Sequence, residues 1–399
     1  MDDLLCNMPV TGKKLQDLLV KCPCLHVNGH QLVSVEGKVV GENQGFTSII
    51  LRVSLKWSDQ SADLPNSVIV KVIGSNSLSE MMPHMSKEHI DGMYQQLYHA
   101  HNIECIVYDL PGLRDVVPMP KCYGKVLSVM GEPGIIVLED LGDIGAVLPI
   151  TTWGNDFSEK KLDQALEALS SVHAWSVNNT KWRETIPSLA EFNVLEPLMQ
   201  GMIAMFPTSK KMFPELFKDL DESKLLEHVN SDKYLQLYGC DPKARYNMPL
   251  VLVHGDVHIM NMMFEKLPDG SAGDRLVALI DWQISHQGCA AEDLARILVI
   301  CLSTKQRREY KEKIIRQYVE LFNAKVTSPE NQVTFEDTKR ALDDMFAFFA
   351  VMWTCGIAMV EQMKTMLKGI SDEEMEQISK RMIEFNTANY NDAMEYLKW

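Results

Sequence analysis

Basic residues are scarce in this chain: 39 Lys and Arg stand against 54 Asp and Glu, a formal net charge of −15. That excludes nucleic acid as a main partner, because phosphate backbones are held by basic patches. It does not exclude a small charged substrate, since the charge inside a cleft can oppose the global sign. No stretch approaches the roughly eighteen apolar residues of a membrane span; the longest candidates are broken by charges. The amino terminus, Met1-Asp2-Asp3-Leu4-Leu5, lacks the basic segment and apolar run of a secretory signal. The nine cysteines contain no Cys-x-x-Cys, and the close pair Cys22-Pro23-Cys24 has the wrong spacing for a redox or zinc motif. Reduced thiols in a cytoplasmic enzyme are therefore expected. There is no internal repeat and no low-complexity segment. At 46% hydrophobic and 23% charged the composition is that of a folded globular protein rather than a disordered one. A length of 399 residues is long for one core and suits two lobes.

What is present is concentrated between residues 250 and 296. Leu252-Val253-His254-Gly255-Asp256-Val257-His258-Ile259-Met260-Asn261 reads as an apolar strand ending in a turn that presents Asp256, with Asn261 five residues later. Twenty residues beyond Asn261, the run Ala278-Leu279-Ile280-Asp281-Trp282 is a second apolar strand that delivers another carboxylate. Phosphoryl transfer asks for a positioned hydroxyl and neutralised phosphate charge. An Asp can accept the hydroxyl proton, while an Asn amide oxygen and an Asp carboxylate are hard ligands suited to Mg²⁺. The rival readings are a simple turn or cap at each strand end and a zinc site built on His254 and His258. Against zinc, Gly255 and the preceding apolar run place the two histidines at a strand-to-loop junction, with no third nitrogen or sulfur ligand at useful spacing.

With Glu292-Asp293-Leu294-Ala295-Arg296 added, these motifs resemble the aminoglycoside phosphotransferase and choline kinase superfamily. Within it they are most similar to the ecdysteroid-kinase-like (CHK-like) proteins of invertebrates, especially the nematode branch. The stretch from Ile280-Asp281-Trp282-Gln283 through Asp293-Leu294-Ala295-Arg296-Ile297-Leu298 to Cys301-Leu302-Ser303 is particularly alike, and the likeness runs from about residue 35 to 325. The resemblance implies that Asp256 is the catalytic base and that Asn261 and Asp281 hold Mg²⁺. It makes Asp293 a buried carboxylate that supports the catalytic loop. It also implies an α+β, two-lobed, protein-kinase-like fold: an antiparallel-sheet lobe over residues 1–137, a hinge at 138–142, and a mostly helical lobe over 143–399.

In the first lobe, Gly37, Gly41 and Gly45 recur every four residues, which is neither G-x-G-x-x-G nor a Walker A motif and alone reads as a glycine-bearing hairpin. By resemblance, the loop from Gly41 through Gly45 and Phe46 to Ser48 covers nucleotide phosphates. Val68-Ile69-Val70-Lys71-Val72-Ile73 is an apolar strand with one Lys, like the kinase strand whose Lys meets the α and β phosphates. Relatives place the Glu that orients this Lys at the position of Ile90, so Glu88 or Asp91 on the following helix is expected to substitute, or the ion pair is lost. Gly134 to Leu138 reads as a strand leading into Glu139, Asp140 and Leu141, whose backbone groups by resemblance read the adenine edge. Leu162, Ala165, Leu166, Leu169, Val172 and His173 recur at helical spacing, with His173 read as a core histidine. Further helices are expected near 305–323, 334–364 and 372–397. Along the middle one, Ala341, Met345, Phe348, Phe349, Met352 and Trp353 form a core stripe or the wall of an acceptor pocket.

The expected activity is an ATP- and Mg²⁺-dependent transfer of phosphate to the hydroxyl of a small apolar or glycosylated metabolite, steroid-like or a xenobiotic conjugate. The alternative is a weak or inactive relative that binds nucleotide or metabolite without transfer. A protein kinase is disfavoured, because Asp281 is followed by Trp282-Gln283 rather than Phe-Gly.

Overall fold

The computed structural model describes residues 1–27, 29–40, 48–59, 64–73, 87–129, 132–191, 196–218, 222–358 and 370–397. The chain divides into two units, Met1–Asp109 with Met119–Ile144, and Leu110–Pro118 with Gly145–Trp399. Each is described in turn.

In the first unit, α1 (Gly12–Lys21) is followed by β1 (Leu32–Val40), β2 (Ser48–Trp57), β3 (Ser67–Ile73), α2 (Lys87–Val107), β4 (Cys122–Val126) and β5 (Ile135–Glu139). The strands form one antiparallel sheet in the order β1-β2-β3-β5-β4. β3 is nearly all apolar because it is central and covered on both faces. On one face Val68, Val70 and Val72 join Leu51, Val53, Ile135 and Val137 against Leu15 and Leu19 of α1. On the other, Ile69 packs with Ile136, Leu138 and Cys105 of α2. Side chains alternate along a strand, so Lys71 shares the α2 face with Ile69.

The second unit contains the short β6 (Gly145–Val147), the long α3 (Glu159–Asn178), a run of short helices between 196 and 246, and then β7 (Val251–Val253), β8 (Met262–Lys266), β9 (Ala272–Leu279) and β10 (His286–Gly288). β6-β8-β9 form one antiparallel sheet and β7-β10 an antiparallel pair. α4 (Ala291–Arg296), α5 (Thr304–Lys325), α6 (Phe335–Cys355) and α7 (Asp372–Tyr396) complete it. The fold class is thus α+β and kinase-like, a small antiparallel-sheet unit with a larger, mostly helical one. The helix expected over 334–364 ends at Cys355, where Gly356 caps it by donating to the Trp353 and Thr354 carbonyls; residues 359–369 lie outside the described residues. Of its apolar stripe, Ala341, Met345, Phe348, Phe349 and Met352 are buried and Trp353 is half-buried. No described helix is long and apolar enough to cross a membrane. All nine cysteines are free thiols.

Candidate active site

β7 is fully buried and stops at His254 because the next residue, Gly255, turns the chain with φ +82°. A Cβ there would sit 2.6 Å from the Ile284 carbonyl oxygen, so both conformation and space demand glycine. The two amides of the turn are caught by one side chain. His254 N–H donates to Asp293 Oδ2 and Gly255 N–H to Asp293 Oδ1, each at 2.9 Å. Asp293 is fully buried on α4, and His173 Nε2 lies 3.2 Å from its Oδ2. Burial opposes its charge, but His173 and the donating amides of the turn outweigh burial and hold its pKa below the usual carboxylate value. Gly255→Ala should destabilise the second unit by about 2 kcal/mol and lower its thermal midpoint.

His254 links the two halves of the site. Its Nδ1 accepts from Asp256 N–H at 3.2 Å, so Nε2 carries the proton and donates to the Ile280 carbonyl at 3.1 Å. Burial lowers its pKa despite Asp293, Asp256 and Asp281 nearby, so the ring is neutral. Both ring nitrogens are committed, which leaves the zinc alternative without a ligand at this position.

Asn261 closes the loop onto Asp256. Its amide nitrogen donates to the Asp256 carbonyl at 2.9 Å and to Asp256 Oδ2 at 3.0 Å. His258 Nε2 stands 3.5 Å from the same Oδ2, and Arg296 Nη1 is 3.9 Å from Oδ1. Burial works against the Asp256 charge, but His258 and then Arg296 outweigh it and hold the carboxyl well below its usual range. Asp256 is therefore ionised, oriented and only partly exposed. Ile280 N–H donates to the Asn261 carbonyl at 3.0 Å, which brings the end of β9 against the end of the loop. Asp281 follows with φ +66°, a conformation Asp tolerates better than most residues. Trp282 is fully buried, donates to the Leu279 carbonyl at 3.2 Å, and packs tilted against the His254 ring with centroids 4.5 Å apart, which fixes the turn around Asp281.

The residues present fit a magnesium ion. With the Asn261 amide nitrogen committed to Asp256, its oxygen is the end left to act as a ligand, and Asp281 adds a carboxylate. Mg²⁺ is typically held by one or two protein carboxylates together with substrate phosphates and waters, so two hard oxygens suffice.

In the first unit, Lys71 is buried and its Nζ donates to Glu104 Oε2 at 2.6 Å. Glu104 is 1% exposed on α2. This corrects the expected pairing with Glu88 or Asp91: those positions lie on the same helix but thirteen or more residues earlier, roughly 20 Å along its axis. A lone acid inside Ile103-Glu104-Cys105-Ile106-Val107 was the available signal, since an apolar helix end buries a carboxylate only against a cation.

A family model described as "Uncharacterized oxidoreductase dhs-27" matches residues 34–398. The chain belongs to this family, DUF1679. No curated protein matches it in sequence. Among solved structures, this DUF1679 member is similar to the GDP complex of wild-type aminoglycoside 2'-phosphotransferase-IIIa, at 15% identity and TM-score 0.44, over 89% of this chain and 93% of that one. It is also similar to choline kinase from Cryptosporidium parvum Iowa II, at 13% identity and TM-score 0.45, over 91% of each chain. A third is an aminoglycoside phosphotransferase from Alicyclobacillus acidocaldarius, at 13% identity and TM-score 0.42, over 91% of this chain and 92% of that one. With TM-scores below 0.5, these likenesses add nothing to the chemistry, which rests on the site itself.

The other expected nucleotide contacts fare unevenly in this DUF1679 member. Gly41, Gly45 and Phe46 lie outside the described residues, and Ser48 opens β2. Glu139 ends β5, where its amide donates to the Lys121 carbonyl at 2.8 Å and its Oε2 accepts from Lys121 N–H at 3.1 Å. The Asp140 carboxylate is a structural clamp within the first unit. It meets Arg52 Nε at 2.8 Å, accepts from Ser67 Oγ at 2.8 Å, and accepts from Gly142 N–H at 2.9 Å. Leu141 is buried, and its carbonyl accepts from Ile144 N–H at 3.0 Å.

Proposed function

We propose that this protein transfers the γ-phosphoryl group of ATP, with Mg²⁺, to a hydroxyl of a small apolar or glycosylated metabolite in the cytoplasm. One observation carries the reading: Asn261 is hydrogen-bonded to both the carbonyl and the carboxylate of Asp256, and its own carbonyl receives Ile280 N–H, next to Asp281. A carboxylate suited to take a proton and an amide suited to ligate a metal are thus cross-linked in one loop, and the residue before Asp281 is bonded to the end of that loop. The acceptor oxygen attacks the γ-phosphorus, the bond to the β–γ bridging oxygen breaks, and Asp256 takes the hydroxyl proton. Mg²⁺, when bound, neutralises phosphate charge. Asn261 and Asp281 would be its protein ligands; on the first unit, Lys71, held by Glu104, would be the cation for the nucleotide phosphates. Similarity of the Ile280–Ser303 stretch to ecdysteroid-kinase-like proteins supports a hydroxylated apolar acceptor.

The case for an inactive binding module came from a missing helix carboxylate, and Glu104 removes that motive. The word oxidoreductase in the family's description finds little support here. No two glycines stand two residues apart anywhere in the sequence, so no G-x-G fingerprint exists. Among the described residues, every pair of named strands is antiparallel, whereas the dinucleotide fold needs parallel βαβ units.

The test is incubation with γ-labelled ATP, Mg²⁺ and a metabolite extract, followed by mass spectrometry for products heavier by one phosphoryl group. A product that is absent with Asp256→Asn supports the reading; measurable ATP binding with no product from any extract counts against it. Lys71→Met should raise the nucleotide KM about tenfold or more, because a charge-assisted contact to phosphate is lost. Glu104→Gln should shift KM in the same direction by less, as seen in initial-rate kinetics.

A further inference from the structure

Behind Asp256 runs a line of buried charges that the chemistry above does not use. His286 and Glu292 are each 1% exposed. His286 Nδ1 lies 2.9 Å from the Ile284 carbonyl oxygen and Nε2 lies 2.9 Å from Glu292 Oε2. Both neighbours can only accept, so both ring nitrogens donate and the ring is an imidazolium. Burial alone would discharge it, but Glu292 outweighs burial and the His286 pKa is raised. The other oxygen of Glu292 lies 3.5 Å from Arg296 Nη2, one turn along α4. Arg296 is 8% exposed, its guanidinium rests 4.7 Å above the Phe349 ring, and its Nη1 reaches to 3.9 Å from Asp256 Oδ1. Charge therefore alternates in sign from His286 through Glu292 and Arg296 to Asp256.

We propose that Arg296, gripped by the His286–Glu292 pair and braced on Phe349, is the positioning residue that fixes the Asp256 carboxylate for proton transfer. The inference rests on the phosphotransferase reading of Asp256. The two oxygens of that carboxylate are divided between keepers. Oδ2 faces Asn261 and His258, and Oδ1 faces Arg296. Without Arg296 the carboxylate can swing about its bond to Asn261. A planar guanidinium spans Glu292 and Asp256 with two different nitrogens, which a single ammonium does not do. Arg296 is thus distinct from a generic buried cation.

The experiment is a double-mutant cycle with water as the phosphoryl acceptor, read as inorganic phosphate released from Mg·ATP. In the wild-type background, kcat should fall about tenfold in Arg296→Lys and about 100-fold in Arg296→Met, with the nucleotide KM held within about twofold. In the Asp256→Asn background, either change should cost less than about twofold more, because the group that Arg296 positions is already disabled. Losses that multiply in full across the two backgrounds would overturn the proposal, since general damage to the unit would act on the residual rate as well. Arg296→Lys keeps the cation beside Glu292 and so guards against a variant that fails only by misfolding.

A second readout needs no turnover. The Cε1–H resonance of His258, assigned with His258→Gln, should move in Arg296→Lys, because the Asp256 carboxylate it faces has shifted. An unmoved His258 resonance would refute the positioning role even if the protein proved not to transfer phosphate. Phosphate release undiminished in Asp256→Asn would instead sink the functional reading on its own.

Discussion

Asp256→Asn should lower kcat for phosphoryl transfer by about 10³-fold, the usual scale for losing a positioned general base, and leave nucleotide affinity within about twofold. The asparagine oxygen can still accept from Asn261, so the loop keeps its shape, but an amide does not take up the acceptor proton. Nucleotide affinity should hold because Asp256 is not among the metal ligands assigned here, Asn261 and Asp281. Single-turnover rates with γ-labelled ATP measure the first effect, and calorimetric titration with Mg·ATP measures the second. Loss of rate and of nucleotide binding together would count against Asp256 as base and would point to a part in holding the metal.

Asp293→Asn should have the largest effect on stability, about 3–5 kcal/mol, in the range for breaking a buried, hydrogen-bonded charge. Asp293 receives the amides of His254 and Gly255 and faces His173, all deep in the second unit. An asparagine has one acceptor oxygen for two amide donors, and its NH₂ would confront one of them. Thermal melting should show the midpoint of the second unit falling, and transfer activity should fall with it because the loop is no longer held. The pH dependence has a definite sign. The folded-state pKa of Asp293 lies below its ordinary 3.8, so its contribution is complete above that value and is lost as pH falls below it. The stability gap between wild type and Asp293→Asn should therefore be widest near neutrality and narrow below about pH 4. A gap that stays constant down to pH 2 would show that Asp293 acts by shape rather than charge.

Much of this was legible in the residues because the signals were local. β3 announces itself as an apolar run with one Lys, and β7 and β9 as apolar runs ending at Gly255-Asp256 and at Asp281. The apolar spacing from Leu162 to His173 falls within α3, and α5 and α7 lie where helices were expected near 305–323 and 372–397. What could not be read was long-range pairing. Glu104 meets Lys71 across 33 residues of chain, and a window that stops at Glu88 and Asp91 does not contain it. Asp140 looked like part of a hinge from its place after β5. Its carboxylate is drawn to Arg52, 88 residues earlier, because a nearly buried carboxylate needs a cation wherever one is supplied. Glu292 and Arg296 stood in plain view as an i,i+4 pair. The third member, His286, is an unremarkable residue until the fold sets it against Glu292.

The way Asn261 sits on Asp256 also gives a reason for one proposed metal ligand to be an amide while the other is an acid. Both hydrogens of the Asn261 amide are directed at oxygens of Asp256. An aspartate at 261 would be an equally hard ligand, but it would set a second carboxylate about 3 Å from the first, where two like charges do not both persist. One of them would take up a proton, and the site would forfeit either its base or a ligand. The amide escapes that choice by being two-faced, a donor toward the base and an acceptor toward the cation. The loop can thus set a base and a metal ligand within six residues without adding a second charge.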